Sequence, residues 1–111
     1  MAEISVSNHD QVTLVEVNGR INSSNATDLA TALSEQIDQG KVNLVLDLEA
    51  VDFMSSAGLR ELVTALKKVK RSNGDMRLSN PAPRVREVLE MAGLDTIFLI
   101  FDSQTDAVAS F

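Results

Sequence analysis

The sequence predicts an α/β domain with a mixed, mostly parallel sheet and an antiparallel strand at one edge. Three observations carry this. Amphipathic stretches end at Gly40, Gly74 and Gly93, and each is followed by an apolar strand-like run. Helix, glycine, strand in repeated order is the pattern of α/β units, with glycine as the left-handed cap. The run Val42–Leu48 is almost wholly apolar, as a strand buried on both faces requires. Two alternating segments joined by a polar turn open the chain, which is the mark of a hairpin.

In chain order, Ile4–Ser7 and Val12–Val17 read as strands around the turn Asn8-His9-Asp10. Ser23-Ser24-Asn25 supplies caps for a helix whose apolar face is Ala26, Leu29, Ala30, Leu33 and Ile37. After the central strand, Leu59, Leu62, Val63, Leu66 and Val69 form the clearest helical stripe. Lys67, Lys68, Lys70 and Arg71 lie in its last turns, where cations suit the helix dipole. Asp75–Leu78 is a short strand, and Asn80-Pro81-Ala82-Pro83 starts a helix carrying Val85, Val88, Leu89 and Ala92. Ile97–Phe101 reads as a final buried strand, and Ser103-Gln104-Thr105-Asp106 as a capping box for a short terminal helix. The order is β-β-α-β-α-β-α-β-α. Right-handed crossovers make the later strands parallel and leave the first antiparallel at an edge.

Composition narrows the function. One domain accounts for 111 residues, and 10 Lys and Arg against 16 Asp and Glu leave a formal charge of −6. That charge argues against nucleic-acid and anionic-membrane binding. Cysteine is absent and His9 is the one histidine, which removes disulfides, thiol nucleophiles and the usual zinc ligand sets. Met1-Ala2-Glu3-Ile4 lacks the pattern of a secretory signal, and no apolar run approaches the roughly 18 residues of a membrane span. The expectation is a cytoplasmic protein without membrane insertion. Phosphate-binding and nucleophile-elbow motifs are missing, and no nucleophile–base pair supports an enzyme. Asp47, Glu49 and Asp52 cluster near the end of the central strand, yet the acidic pair and lysine that a receiver-type metal site needs are absent. These three read as solvated loop carboxylates.

The most informative stretch is Val51-Asp52-Phe53-Met54-Ser55-Ser56-Ala57-Gly58-Leu59-Arg60, between the central strand and the best helix. A serine pair there can be a simple cap. A hydroxyl at an exposed helix start can also receive a phosphoryl group, whose charge of about −1.5 to −2 suits the N-terminal end of the dipole. Ala57 and Gly58 are small enough to let another protein approach the backbone. Met54 reads as a packing residue or as an apolar rim to such a surface.

Phe53-Met54-Ser55-Ser56-Ala57-Gly58-Leu59 resembles the phosphorylation motif Phe-Met-Asp-Ser-Ser/Thr-Gly-Leu of STAS domains, in particular bacterial anti-sigma factor antagonists. The strand order, Gly19 opening a loop before the first helix, Leu46-Asp47-Leu48 and Met91-Ala92-Gly93-Leu94 extend the resemblance over nearly the whole chain. It implies a single STAS domain over 1–111, with helices packed mainly on one face of the sheet. It places the phosphoacceptor at Ser56. Ser55 stands where the family has aspartate and is a competing acceptor, while Ala57 replaces a hydroxyl residue. The family's Gly-Glu-Leu-Asp loop corresponds to Gly19-Arg20-Ile21-Asn22, so two acidic groups are missing there. The implied partner surface comprises Arg20, Asn22, Met54, Ser55, Ser56, Ala57 and Gly58. The resemblance implies a partner switch. The unphosphorylated chain binds an anti-sigma factor that is also its GHKL-type serine kinase, phosphorylation releases it, and a PP2C-type serine phosphatase resets it. Nucleotide and metal belong to those partners, so the chain needs no cofactor. A second reading keeps the fold and makes the chain an accessory or scaffold subunit of a transporter or stress-signalling complex.

Overall fold

In the computed structural model, which describes residues 3–111, five strands lie in the spatial order β1-β2-β3-β4-β5. Met1 and Ala2, the first two residues of the expected domain span 1–111, lie outside the described residues. The strands are β1 (Glu3–His9), β2 (Val12–Ile21), β3 (Asn43–Met54), β4 (Asp75–Ser79) and β5 (Ile100–Phe101). The helices are α1 (Ala26–Asp38), α2 (Ser56–Arg71), α3 (Pro83–Met91) and α4 (Gln104–Ala109). β1 pairs antiparallel with β2, and every other pairing is parallel. This is the expected order, with one 3-10 turn added at Leu94–Thr96.

The pleat explains the layers. On β2, Val15, Val17 and Ile21 point to one face, and on β3 Leu44, Leu46 and Leu48 do the same. These meet Leu29 and Leu33 of α1, Leu62, Leu66 and Val69 of α2, and Val85 and Leu89 of α3 in one core. The alternate residues Val12, Leu14 and Val45 face the other way, against Ala107 and Val108 of α4. Three helices therefore cover one face and a single short helix the other.

Arg77 on β4 ties the chain end to the sheet. It stacks 4.0 Å from the Phe111 ring centroid, donates to Ser110 Oγ at 2.7 Å and pairs with Asp75 at 3.0 Å. Burial pushes the Asp75 carboxyl up, but hydrogen bonds from Arg77, Lys70 and the Met76 amide outweigh it and hold the pKa below its ordinary value.

Four expectations need correction. The central strand does not stop at Leu48 but runs to Met54. Its register with β2 slips between Glu16↔Asp47 and Asn18↔Ala50, and again between Gly19↔Val51 and Arg20↔Phe53. Each slip places an extra residue in β3, so the alternation that marks a strand is broken twice. Gly19 consequently lies within β2 rather than opening a loop. Ile97–Phe101 is not a buried strand: only its last two residues pair, at the sheet edge, and Ile97 and Leu99 are exposed while Phe98 is buried. Finally, Gly40 and Gly93 take the left-handed conformation expected of them, but after α2 it is Asn73 that does so, at φ 63. Gly74 is small for another reason, because a side chain there would run into the Val42 carbonyl.

Candidate functional site

The end of β3 and the start of α2 are separated by Ser55 alone. That residue is fixed on both sides. Its backbone N–H donates to the Ile21 carbonyl at the end of β2, at 2.8 Å, and its extended backbone (φ −81, ψ 167) redirects the chain into the helix. Its side-chain Oγ accepts from the Gly58 N–H at 3.2 Å, which makes Ser55 the N-cap. The Ser55 hydroxyl is thus engaged and half-buried.

Ser56 is the first helical residue, and its side chain is exposed. No acidic residue occupies the first turn of α2, whereas Lys68, Lys70 and Arg71 sit in its last turn. The positive end of the helix dipole beside Ser56 therefore has no first-turn carboxylate to offset it. Of the two serines, only Ser56 is exposed, and no hydrogen bond engages its hydroxyl among the described residues.

Met54 and Gly58 do not present a surface: for Met54 the packing alternative holds and the rim does not, and Gly58 departs from the expected partner surface. Met54 is 3% exposed and belongs to the core. Gly58 is also buried, and a Cβ built on it would lie 2.5 Å from the Met54 sulfur and 2.6 Å from Ile21 Cγ2. The glycine is there so that α2 can pack closely on the ends of β2 and β3, not so that a partner can reach its backbone. Ala57 is half-buried beside the exposed Ser56.

The adjacent loop between β2 and α1 is held by two asparagines. Asn22 Oδ1 accepts from the N–H groups of Ser24 (2.9 Å) and Asn25 (3.2 Å). Asn25 returns the contact, its Oδ1 accepting from the Asn22 N–H at 2.8 Å while its Nδ2 donates to the Arg20 carbonyl at 2.7 Å. Asn25 is the N-cap of α1 by position but makes no side-chain cap bond, because its amide is spent on the loop. Asn22 Oδ1 is likewise turned inward. Arg20 is exposed, and its guanidinium lies 4.8 Å from the centroid of Phe53, the residue opposite it in register. Since Ile21 points into the helix-covered core, Arg20 projects from the other face of the sheet. The fold thus brings Arg20, Asn22, Ser55 and Ser56 to one end of the sheet, with Arg20 on the face away from α2.

Asp47 departs from the expectation of a solvated loop carboxylate: it lies within β3 and is buried, at 4% exposure. It accepts from Ser79 Oγ at 2.7 Å and from Asn80 Nδ2 at 3.3 Å, linking β3 to the turn after β4. Glu49 and Asp52 are exposed. The sequence casts Asn25 as a helix cap and Phe53 only as part of a motif; the structure makes Asn25 a loop clamp without a cap bond and stacks Phe53 under Arg20. The reach of Asn25 back to Arg20, five residues earlier, leaves no periodic signal, and the stacking of Phe53 depends on the bulged register.

A family model described as STAS domain matches residues 3–107. A protein of Bordetella bronchiseptica, BtrV, named as a candidate anti-sigma factor antagonist, is 37% identical over 102 residues, spanning 92% of this chain and 88% of that one. The crystal structure of an anti-sigma factor antagonist from Mycobacterium paratuberculosis superposes with a TM-score of 0.91 at 29% identity, covering 99% of this chain and 93% of the other. The anti-sigma factor antagonist SpoIIAA in its unphosphorylated form gives a TM-score of 0.84, covering 96% and 93% of the two chains; at 18% identity this is a likeness of fold. SpoIIAA of Bacillus has also been solved in a phosphorylated form.

Proposed function

The chain belongs to the STAS domain family, and from that premise we propose that it is an anti-sigma factor antagonist switched by phosphorylation of Ser56. The observation that carries the reading is the division of labour between the two serines. Ser55 caps α2 through its hydroxyl, and Ser56 presents its own to solvent one residue later. The names of the similar proteins from Bordetella bronchiseptica and Mycobacterium paratuberculosis support the same function.

In this reading an anti-sigma factor with GHKL-type serine kinase activity docks on the end of the sheet that carries Ser56, Ala57 and the β2–α1 loop. The kinase transfers the terminal phosphoryl group of ATP to Ser56 Oγ. The new O–P bond replaces the bond to ADP, which leaves, and the hydroxyl proton passes to a base of the kinase. The product dianion is held at the N-terminal end of α2, where the dipole and first-turn N–H groups favour it. In the docked complex the same charge would be buried without a partner, which costs several kcal/mol, and each ~1.4 kcal/mol is tenfold in affinity. A PP2C-type phosphatase hydrolyses the ester and restores the binding form. Kinase and phosphatase bring the nucleotide and metal.

The test is phosphate mapping by tandem mass spectrometry after incubation with the cognate kinase and ATP. One phosphate is expected on Ser56, absent in Ser56→Ala and retained in Ser55→Ala. Undiminished phosphorylation of Ser56→Ala would move the acceptor elsewhere, and stable co-purification with a membrane complex regardless of Ser56 would favour an accessory subunit.

A further inference from the structure

Strand β1 closes one side of the sheet, and among the described residues nothing pairs with its outer edge. Edges are commonly guarded by lysine, proline or a bulge. Between Ile4 and Asn8 this one has none, and its register with β2 runs unbroken from Glu3↔Asn18 to His9↔Val12. The turn between the strands has two residues, Asp10 and Gln11, so His9↔Val12 is the hydrogen-bonded pair that closes the hairpin. Hydrogen-bonded and non-bonded pairs alternate along an antiparallel ladder. Ser7, Ser5 and Glu3 therefore turn their N–H and C=O groups toward β2, and Ile4, Val6 and Asn8 turn theirs outward.

We propose that this edge pairs with the same edge of a second copy of the chain, antiparallel and centred on Val6. The sequence of β1 is complementary to itself in that register. Val6 meets Val6 of the second copy, Ile4 meets Asn8, Ser5 meets Ser7 and Glu3 meets His9. The outward backbone groups of Ile4, Val6 and Asn8 all find partners. Val6 is 40% exposed, on the face where its opposite residue Val15 is fully buried, and pairing covers it. At both ends a Glu3 carboxylate accepts from a His9 imidazole, a matched contact between copies that otherwise repel through a net charge of −6. Among the described residues, a register centred on Ile4 or on Asn8 gives a shorter ladder and loses both Glu3–His9 contacts. The joined sheet uses no residue of the β3–α2 junction, so Ser56 stays accessible in the dimer.

Sedimentation velocity of the full chain over a range of concentrations tests this. A reversible dimer is expected. Val6→Pro removes an outward N–H without touching the bonds to β2, and weakens the dimer at least about tenfold. Circular dichroism melts check that this variant stays folded. Glu3→Lys also weakens association, and Glu3→Lys combined with His9→Glu restores it. A chain monomeric at every concentration overturns the proposal. So does a dimer indifferent to both Val6→Pro and the charge exchange.

Discussion

Two helices start from the ends of neighbouring parallel strands, and they start differently. α2 follows β3 after one residue, Ser55, and its first turn is seated on Ile21 and Met54 through the bare Gly58. α1 follows β2 after Asn22–Asn25, and its entry is held by hydrogen bonds among asparagine side chains and backbone. One junction is set by packing and the other by polar contacts. Packing leaves the Ser56 hydroxyl unused, because apolar contacts and a single cap already define the turn. The polar loop consumes its two asparagine side chains internally, and Arg20, at the end of β2 just before it, is the exposed charge beside it.

Substitutions break this contrast in a graded way. Gly58→Val has the largest expected effect, since its new atoms meet Met54 and Ile21 with no room to move; about 3 kcal/mol of stability should be lost in urea unfolding. Asn25→Ala comes next. It removes both side-chain bonds of a residue only 9% exposed and leaves the Arg20 carbonyl without its donor, for about 2 kcal/mol. Ser55→Ala loses the cap of α2 and should cost about 1 kcal/mol. Ser56→Ala should be neutral to within ~0.5 kcal/mol, because the hydroxyl is exposed and serves no structural contact. A cost at Ser56 as large as that at Ser55 would erase the distinction between the two serines.

The same contrast explains what was legible in the sequence. Elements defined by periodic apolar residues, such as the Leu62–Leu66–Val69 stripe of α2, were readable, and so was the serine pair at its start. The Pro83 helix start and the Ser103 cap of α4 also follow their local rules. Features that depend on what one strand does to another were not. The two extra residues in β3 hide its last six positions, because a bulge interrupts alternation without changing composition. Ile97–Phe101 is apolar throughout, yet at the edge of a sheet only Phe98 is fully buried, Ile100 and Phe101 are partly covered, and Ile97 and Leu99 stay exposed. Gly58 reads as a motif glycine, and only the approach of Met54 and Ile21 shows that it is a packing residue.

The switch itself is tested most directly by calorimetry with the cognate anti-sigma factor, comparing the unmodified chain with one carrying phosphoserine installed at position 56. The account predicts binding of the unmodified chain and a loss of at least about a hundredfold in affinity for the phosphorylated one, or about 2.7 kcal/mol. Equal affinities for the two forms would contradict it.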